Sequence, residues 1–298
     1  MTMPETSKQG AGNRDYTIKA LTDIWTGDAD RKGDRLIATG LLGSIRWWFE
    51  VLVRGLGGSA CDPTQDGIRC PEDRRKKPTD SEHSVVCELF GCTGWARKFR
   101  FQVLDEHGNV KQDQIKKGET VKLVFTELRP IRPEEWALLD LTLRLIADYG
   151  AIGGKTPAKN ADFGLIKMVP AAQLEGSAGR HELERYVLDH RWRRTKPDDF
   201  GWASLRNSWF VEGRFLRRRQ FDHLLQLDEW LAGSRGVSKK VFSFKEPEGA
   251  RRTFGFVKPG TVDFDAIKKR LKAAWSDLRD DEFIRGEQIL ERLLSRRG

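Results

Sequence analysis

The chain has 298 residues, 38% of them hydrophobic, and its 53 Lys+Arg against 44 Asp+Glu leave a net charge of +9. That is enough apolar material for one large core or two modest ones, with two expected at this length. No run of apolar residues approaches the ~18 needed to span a bilayer, and the opening MTMPETSKQGAGNRD has neither an apolar stretch nor a cleavage signal, so the expectation is a soluble cytoplasmic protein with no membrane partner.

In chain order, residues 16–21 alternate as a strand running on to Thr26-Gly27, and 28–33 form a charged loop. The stretch 39–58, TGLLGSIRWWFEVLVRGLGG, repeats Leu42, Ile45, Phe49, Leu52, Val53 and Leu56 at helical spacing, which predicts a helix with one buried face. Its other face carries Gly43, Trp47, Glu50 and Arg54, with Glu50 four residues from both Arg46 and Arg54. Gly40 and Gly43 keep the helix entrance open, where backbone N–H groups suit a phosphate.

A long polar loop follows, and then 98–104 alternates Lys98, Arg100 and Gln102 against Phe99, Phe101 and Val103, a strand with a basic face. A turn at 107–109, a strand at 120–126 and a helix opening at Pro133, with Trp136, Leu139, Leu143 and Ile146 inward and a polar stripe of Asp140, Arg144 and Asp148, come next. After the glycine-rich break at 150–164, residues 163–168 read as a last strand. The resulting order, βαββαβ, predicts an α+β ferredoxin-like (RRM-like) domain over 15–170 with a Cys-rich insertion at 59–95.

From 171 to 298 a second domain is expected, helix-rich or a degenerate ferredoxin-like fold, with helices at 181–190, 214–230, 264–278 and 283–294 and strands at 240–244 and 253–258. Within it, 191–219 holds nine basic residues against three acidic ones, interleaved with Trp192, Trp202, Trp209 and Phe215. That excess suits a nucleic acid or an acidic protein partner equally.

Gly154-Lys155-Thr156 imitates the end of a P-loop. The motif would need a glycine where Tyr149 stands and a strand before it, whereas a helix precedes, so an NTPase is rejected. What remains is a cationic glycine loop, Gly153, Gly154, Lys155 and Lys159, able to touch phosphates through its backbone. All four cysteines fall between 61 and 92, spaced Cys61-x8-Cys70-x16-Cys87-x4-Cys92, with His83 before the third. A structural zinc held by Cys61, Cys70, Cys87 and Cys92, with His83 as substitute ligand, is one reading, and reduced thiols packed beside Phe90 is the other. Four protein ligands would close the site to chemistry.

LTDIWTGD at 21–28, the 39–58 helix, CDPT at 61–64, CELFGCTGWARKFRF at 87–101 and the glycine loop resemble the RAMP proteins of type III-B CRISPR systems, nearest to the first subunits of the Cmr effector complex. The resemblance implies a non-catalytic subunit that caps the complex where the 3′ part of the guide RNA lies, holds guide and target RNA, and contacts other Cmr subunits. By position, its RNA-facing residues would be Trp25, Thr26, Gly27, Gly43, Ser44, Arg46, Arg54, Arg97, Lys98, Gly153, Gly154, Lys155 and Lys159, with Trp47 as a stacking platform. Two other readings stand beside it. A RAMP-type endoribonuclease would use a histidine near the first helix, yet none precedes His83, or a Mg²⁺ at Asp28, Asp30 and Asp34. A pure assembly adaptor would touch only protein.

Overall fold

The computed structural model of the protein describes residues 12–28, 30, 32–62, 69–71, 75, 82–154, 161–169, 178–194, 201–225, 228–233 and 238–295. Strand β1 (Asn13–Ala20) turns Tyr16, Ile18 and Ala20 onto a buried face, as alternation requires. Helix α1 (Ala38–Gly55) covers that face. It is buried on more than the expected stripe, with Leu41, Trp48, Val51 and Val53 also inside, because it lies between two layers. Helix α2 (Val85–Phe90) belongs to the cysteine insertion and is capped by Ser84, whose hydroxyl accepts the Cys87 N–H at 3.3 Å.

Strands β2 (Phe99–Leu104) and β3 (Thr120–Glu127), helix α3 (Pro133–Tyr149) and strand β4 (Ile166–Met168) complete the first unit. The antiparallel sheet has the order β2-β3-β1-β4. Edge-on ring contacts run from Tyr16 through Phe125, Phe99 and Phe90 to Phe49, joining sheet, insertion and α1. The polar stripe expected on α3 is solvated only toward its end: Asp140 is buried and pairs with the half-buried Arg144 at 3.3 Å, while Asp148 is exposed.

After helix α4 (Arg180–Val187) come β5 (Ser208–Glu212), α5 (Arg218–Leu225), α6 (Glu229–Ala232), β6 (Val241–Phe244), β7 (Arg252–Phe256), α7 (Phe264–Ala274), β8 (Ile284–Arg285) and α8 (Gly286–Ser295). The second antiparallel sheet is ordered β6-β7-β5-β8, the same arrangement as the first with its strands renumbered, so the second half repeats βαββαβ. Strand β5 was hidden inside the basic run; it lies between β7 and β8, and its Trp209, Phe210 and Val211 are buried. The helix expected over 214–230 is two helices, the second capped by Asp228 accepting the N–H groups of Trp230 and Leu231 at 3.1 Å.

The halves share a core. Trp47 and Trp48 pack on Phe256, Trp48 also on Phe254, and the Trp48 indole donates to the Ala151 carbonyl at 2.8 Å. Arg252 of β7, itself buried, reaches the carbonyls of Ala147 and Gly150 at the end of α3, at 2.8 and 3.3 Å. Among the described residues no helix is long and apolar enough to cross a membrane.

Candidate nucleic-acid interface and cysteine cluster

Three separate stretches of chain meet at the entrance of α1. The Thr26 hydroxyl accepts the Ile37 N–H at 2.8 Å and donates to the Arg35 carbonyl at 3.3 Å, clamping the approach to the helix from inside the fold. No side chain caps α1 and no acid stands in its first turn, which leaves its positive end uncompensated. Gly43 is exposed, and a Cβ built on it would meet nothing within 4 Å. Beside it, the Ser44 hydroxyl accepts the Gly153 N–H at 3.0 Å, and the Gly154 N–H donates to the Trp25 carbonyl at 3.0 Å. Gly153 has φ +104 and a Cβ there would come within 2.7 Å of the Trp25 oxygen, so glycine is required twice over. The Trp25 ring is half-buried and lies against Gly27, Gly33 and Gly154.

Trp25, Thr26, Gly27, Gly43, Ser44, Gly153 and Gly154 are therefore brought together on one side of the first unit. Lys155 and Lys159 lie outside the described residues. Arg97, next to Lys98 in the chain, is half-exposed and carries no ion pair among the described residues. Trp47 is half-buried and edge-on to Trp48 and Phe256, serving the contact between the halves.

Three side chains expected to face RNA turn inward instead. Arg46 donates to Glu50 at 3.1 Å, to the Gly91 carbonyl at 2.9 Å and to the Cys87 sulfur at 3.4 Å. Arg54 donates to the carbonyls of Ala203 and Cys61, each at 3.1 Å, and lies 4.0 Å from Glu50. Lys98 is buried with Glu135 at 2.9 Å and Glu88 at 2.6 Å. The reason is the same each time: a carboxylate taken out of water needs cations beside it. Burial pushes Glu50 up in pKa, opposed by Arg46 and Arg54. Burial would raise Glu88 as well, but hydrogen bonds from His83 and Lys98 win and hold it at about 2. Glu135 also accepts the Tyr186 hydroxyl at 2.9 Å, so this network ties the insertion to α3 and α4. Glu135 is legible in the sequence as the third residue of a helix opening on Pro133; its burial was not.

The cysteines do gather. The sulfurs of Cys61, Cys70 and Cys87 are buried within 4.8 Å of one another, a group that can hold a metal ion. Cys61 is 3.1 Å from Cys70 and 3.6 Å from Cys87, while Cys92, half-exposed, packs against the three. Hydrogen bonds from Cys61, Cys70 and Cys92, with the Arg46 charge, hold the Cys87 thiol well below its ordinary pKa; the same contacts push Cys61 and Cys92 up. The Ser84 N–H donates to the Cys70 sulfur at 3.3 Å, and Arg193, from beyond α4, reaches the same sulfur at 3.9 Å. His83 stands outside the group: its Nε2 is 2.7 Å from Glu88 and its ring lies 4.4 Å from that of Trp95. Among the described residues the aspartates expected for Mg²⁺ do not form such a group, and Asp28 instead accepts the Lys32 N–H at 2.8 Å and pairs with Arg35 at 3.4 Å.

The family model described as the RAMP superfamily matches residues 17–158. No curated protein matches the chain. Among solved structures, the chain is similar to Cmr1 from Pyrococcus furiosus in its apo form, at 12% identity over 96% of this chain and 97% of that one, with a TM-score of 0.47. It is also similar to a chain of a type IV-B CRISPR complex, at 15% identity over 58% of this chain and 96% of that one, TM-score 0.42. A chain of the Csm3-Csm4 subcomplex of the type III-A CRISPR-Cas interference complex matches at 17% identity over 52% and 74%, TM-score 0.27. The region that holds α1, the cysteine insertion and α3 is thus the one that the RAMP superfamily model matches.

Proposed function

We propose that the protein is a non-catalytic subunit of a type III-B CRISPR effector complex that binds the 3′ part of the guide RNA and the guide–target duplex and caps that end of the assembly. The observation that carries the reading is the convergence of an uncapped, glycine-bearing helix entrance with the Gly153–Gly154 turn at Trp25. A guide of arbitrary sequence presents the same phosphates at every step, so its holder needs backbone N–H groups and cations, not base-edge readers. An assembly adaptor would have no use for an exposed, acid-free helix entrance.

The test is a salt series of single-stranded RNA binding with wild type and Gly43→Glu. The added side chain meets open space and a glycine leaves a helix interior, so stability should hold or rise by about 0.5–1 kcal/mol. Affinity should nevertheless fall about tenfold, and the salt slope should flatten by about 0.7 for every phosphate the variant no longer neutralises. Unchanged RNA affinity in this variant sinks the proposed surface. RNA cleavage by the purified chain would instead revive the endoribonuclease.

The cysteine group is read as a structural zinc site with Cys61, Cys70, Cys87 and Cys92 as ligands. Zinc–thiolate bonds of about 2.3 Å put tetrahedral sulfurs about 3.8 Å apart, close to the spacing of Cys61 and Cys87 at 3.6 Å. Four thiolates around Zn²⁺ carry a net negative charge, and the Arg46 and Arg193 guanidiniums stand at two of the sulfurs to meet it. The ion would fasten the insertion and perform no chemistry. Metal analysis should find one zinc per chain, absent from Cys87→Ser; a metal-free protein with four titratable thiols contradicts it.

A further inference from the structure

A cleft of about 660 Å³ in the second unit opens between α5 and the edge strand β6. Its size is that of a pocket for a small ligand or a nucleotide or two. Phe215, Phe221 and Phe242 line it and are half-buried, each offering a ring to a space bordered by Arg217, Arg218 and Lys239. The Lys239 ammonium sits 5.1 Å from the centre of the Phe221 ring, and Arg251 lies 5.1 Å over Phe215.

Four cations, Arg217, Arg218, Lys239 and Lys245, line the cleft with three carboxylates, Asp162, Asp222 and Glu246. Arg218 is paired with Asp222 at 2.8 Å, but no carboxylate of the described residues lies within ion-pair distance of Arg217 or Lys239. Burial and the neighbouring Arg218 charge both lower the Lys239 pKa, as they do when positive potential lacks a counterion. The Asp162 carboxylate, at the cleft's other wall, is engaged by the N–H groups of Lys245 and Glu246 at 2.6 and 2.7 Å.

That wall also fixes where the cleft lies. Gly154 is bonded at the α1 entrance and Ala161 lines the cleft, seven residues later in sequence. A chain advances at most about 3.6 Å per residue, so the two sites stand no more than about 25 Å apart. At about 3.4 Å per stacked nucleotide, seven or eight nucleotides cover that distance.

The geometry points to the α5–β6 cleft as a second binding site for single-stranded RNA, phosphates on Arg217 and Lys239 and a base against the Phe215 and Phe221 rings, reached by the strand that leaves the α1 entrance. Rings interleaved with unpaired cations suit bases and phosphates alternately, whereas an acidic peptide would use the cations and leave the rings idle. This inference rests on the RNA-binding reading above.

The experiment uses the full chain, photoreactive 4-nt and 12-nt RNAs of mixed sequence, and the double variant Arg217→Glu/Lys239→Gln. The 12-nt RNA should crosslink to peptides covering both 21–54 and 214–246, and the variant should lose the second set, bind about tenfold more weakly and show a salt slope flatter by about 1.4. The 4-nt RNA, too short to span, should not distinguish variant from wild type once seated at the α1 entrance. Crosslinks confined to 21–54, with unchanged 12-nt affinity in the variant, overturn the cleft and leave the RNA-binding reading standing. A labelled poly-glutamate peptide that binds wild type and not the variant, while RNA binds both alike, overturns it in favour of an acidic protein. A wild-type chain that binds neither RNA at low salt overturns both readings together. Far-UV circular dichroism and the unaffected Gly43→Glu response of the variant background separate a lost site from a lost fold.

Discussion

Among the described residues each half of the molecule buries one lysine, and the two are held in opposite ways. Lys98 sits between the carboxylates of Glu88 and Glu135 in the first unit. Lys240 is 1% exposed in the second, and its ammonium lies 4.6 and 5.0 Å from the ring centres of Trp202 and Trp230, donating to the Ser238 carbonyl with no acid partner among the described residues. The same βαββαβ topology thus carries two electrostatic designs. The first half neutralises its interior cations with acids and leaves the start of α1 with neither a side-chain cap nor an acid in its first turn. The second surrounds cations with rings, and among the described residues Lys239 and Lys240 have no acid partner.

The sharpest way to break the comparison is to remove Lys98. Lys98→Ala leaves Glu135 buried with the Tyr186 hydroxyl and the Arg132 N–H but without its cation, and stability by urea unfolding should drop by about 3–5 kcal/mol, against less than about 0.5 kcal/mol for Arg100→Ala on the exposed side of the same strand. Should Lys98→Ala instead fold as wild type and fail to bind RNA, the lysine belongs to the interface and the contrast between the halves collapses.

Gly153→Ala comes next. Its positive φ and the nearby Trp25 oxygen make the turn open away from Ser44, at a cost of about 1–3 kcal/mol that is local to the turn. RNA affinity should fall several-fold while hydrogen exchange in the second unit stays as it was. Faster exchange in the second unit would mean the turn supports both halves.

The smallest effect is a pH dependence. Burial, with the nearby Lys258 charge, lowers Lys240 from 10.5 to about 8 in the folded protein. Between those values the unfolded chain binds the extra proton, so Lys240 makes stability rise with pH, by about 1 kcal/mol from pH 7 to pH 9. Lys240→Met should remove that rise. A Lys240→Met chain whose stability climbs just as steeply would show that the Trp202 and Trp230 rings hold the lysine charged throughout, restoring its ordinary pKa.

How much of this was legible beforehand differs by element. Strand alternation at Tyr16 and Ile18, the apolar spacing of α1 and Pro133 at the first turn of α3 are local signals, and each led to the observed element within a few residues. The basic run at 191–219 concealed β5, because a strand buried on both faces shows no alternation and its short apolar core, Trp209 to Val211, is outweighed by the flanking charges. Arg46, Arg54 and Lys98 were read as outward for a related reason. Spacing along one helix or strand says which residues share a face, but whether that face meets water depends on what the rest of the chain lays over it.

By itself the sequence determined the order of elements in the first unit, the gathering of four cysteines in one insertion and the glycines at a helix entrance, all properties of residues near one another along the chain. Only the tertiary structure decided that the second half repeats the first, that Ser44 holds the Gly153 turn against the α1 entrance, and that three cysteine sulfurs share one buried point. Those outcomes depend on residues far apart in sequence coming together, and the energy that selects them, the burial of apolar surface and the pairing of buried charge, exists only once distant segments have met.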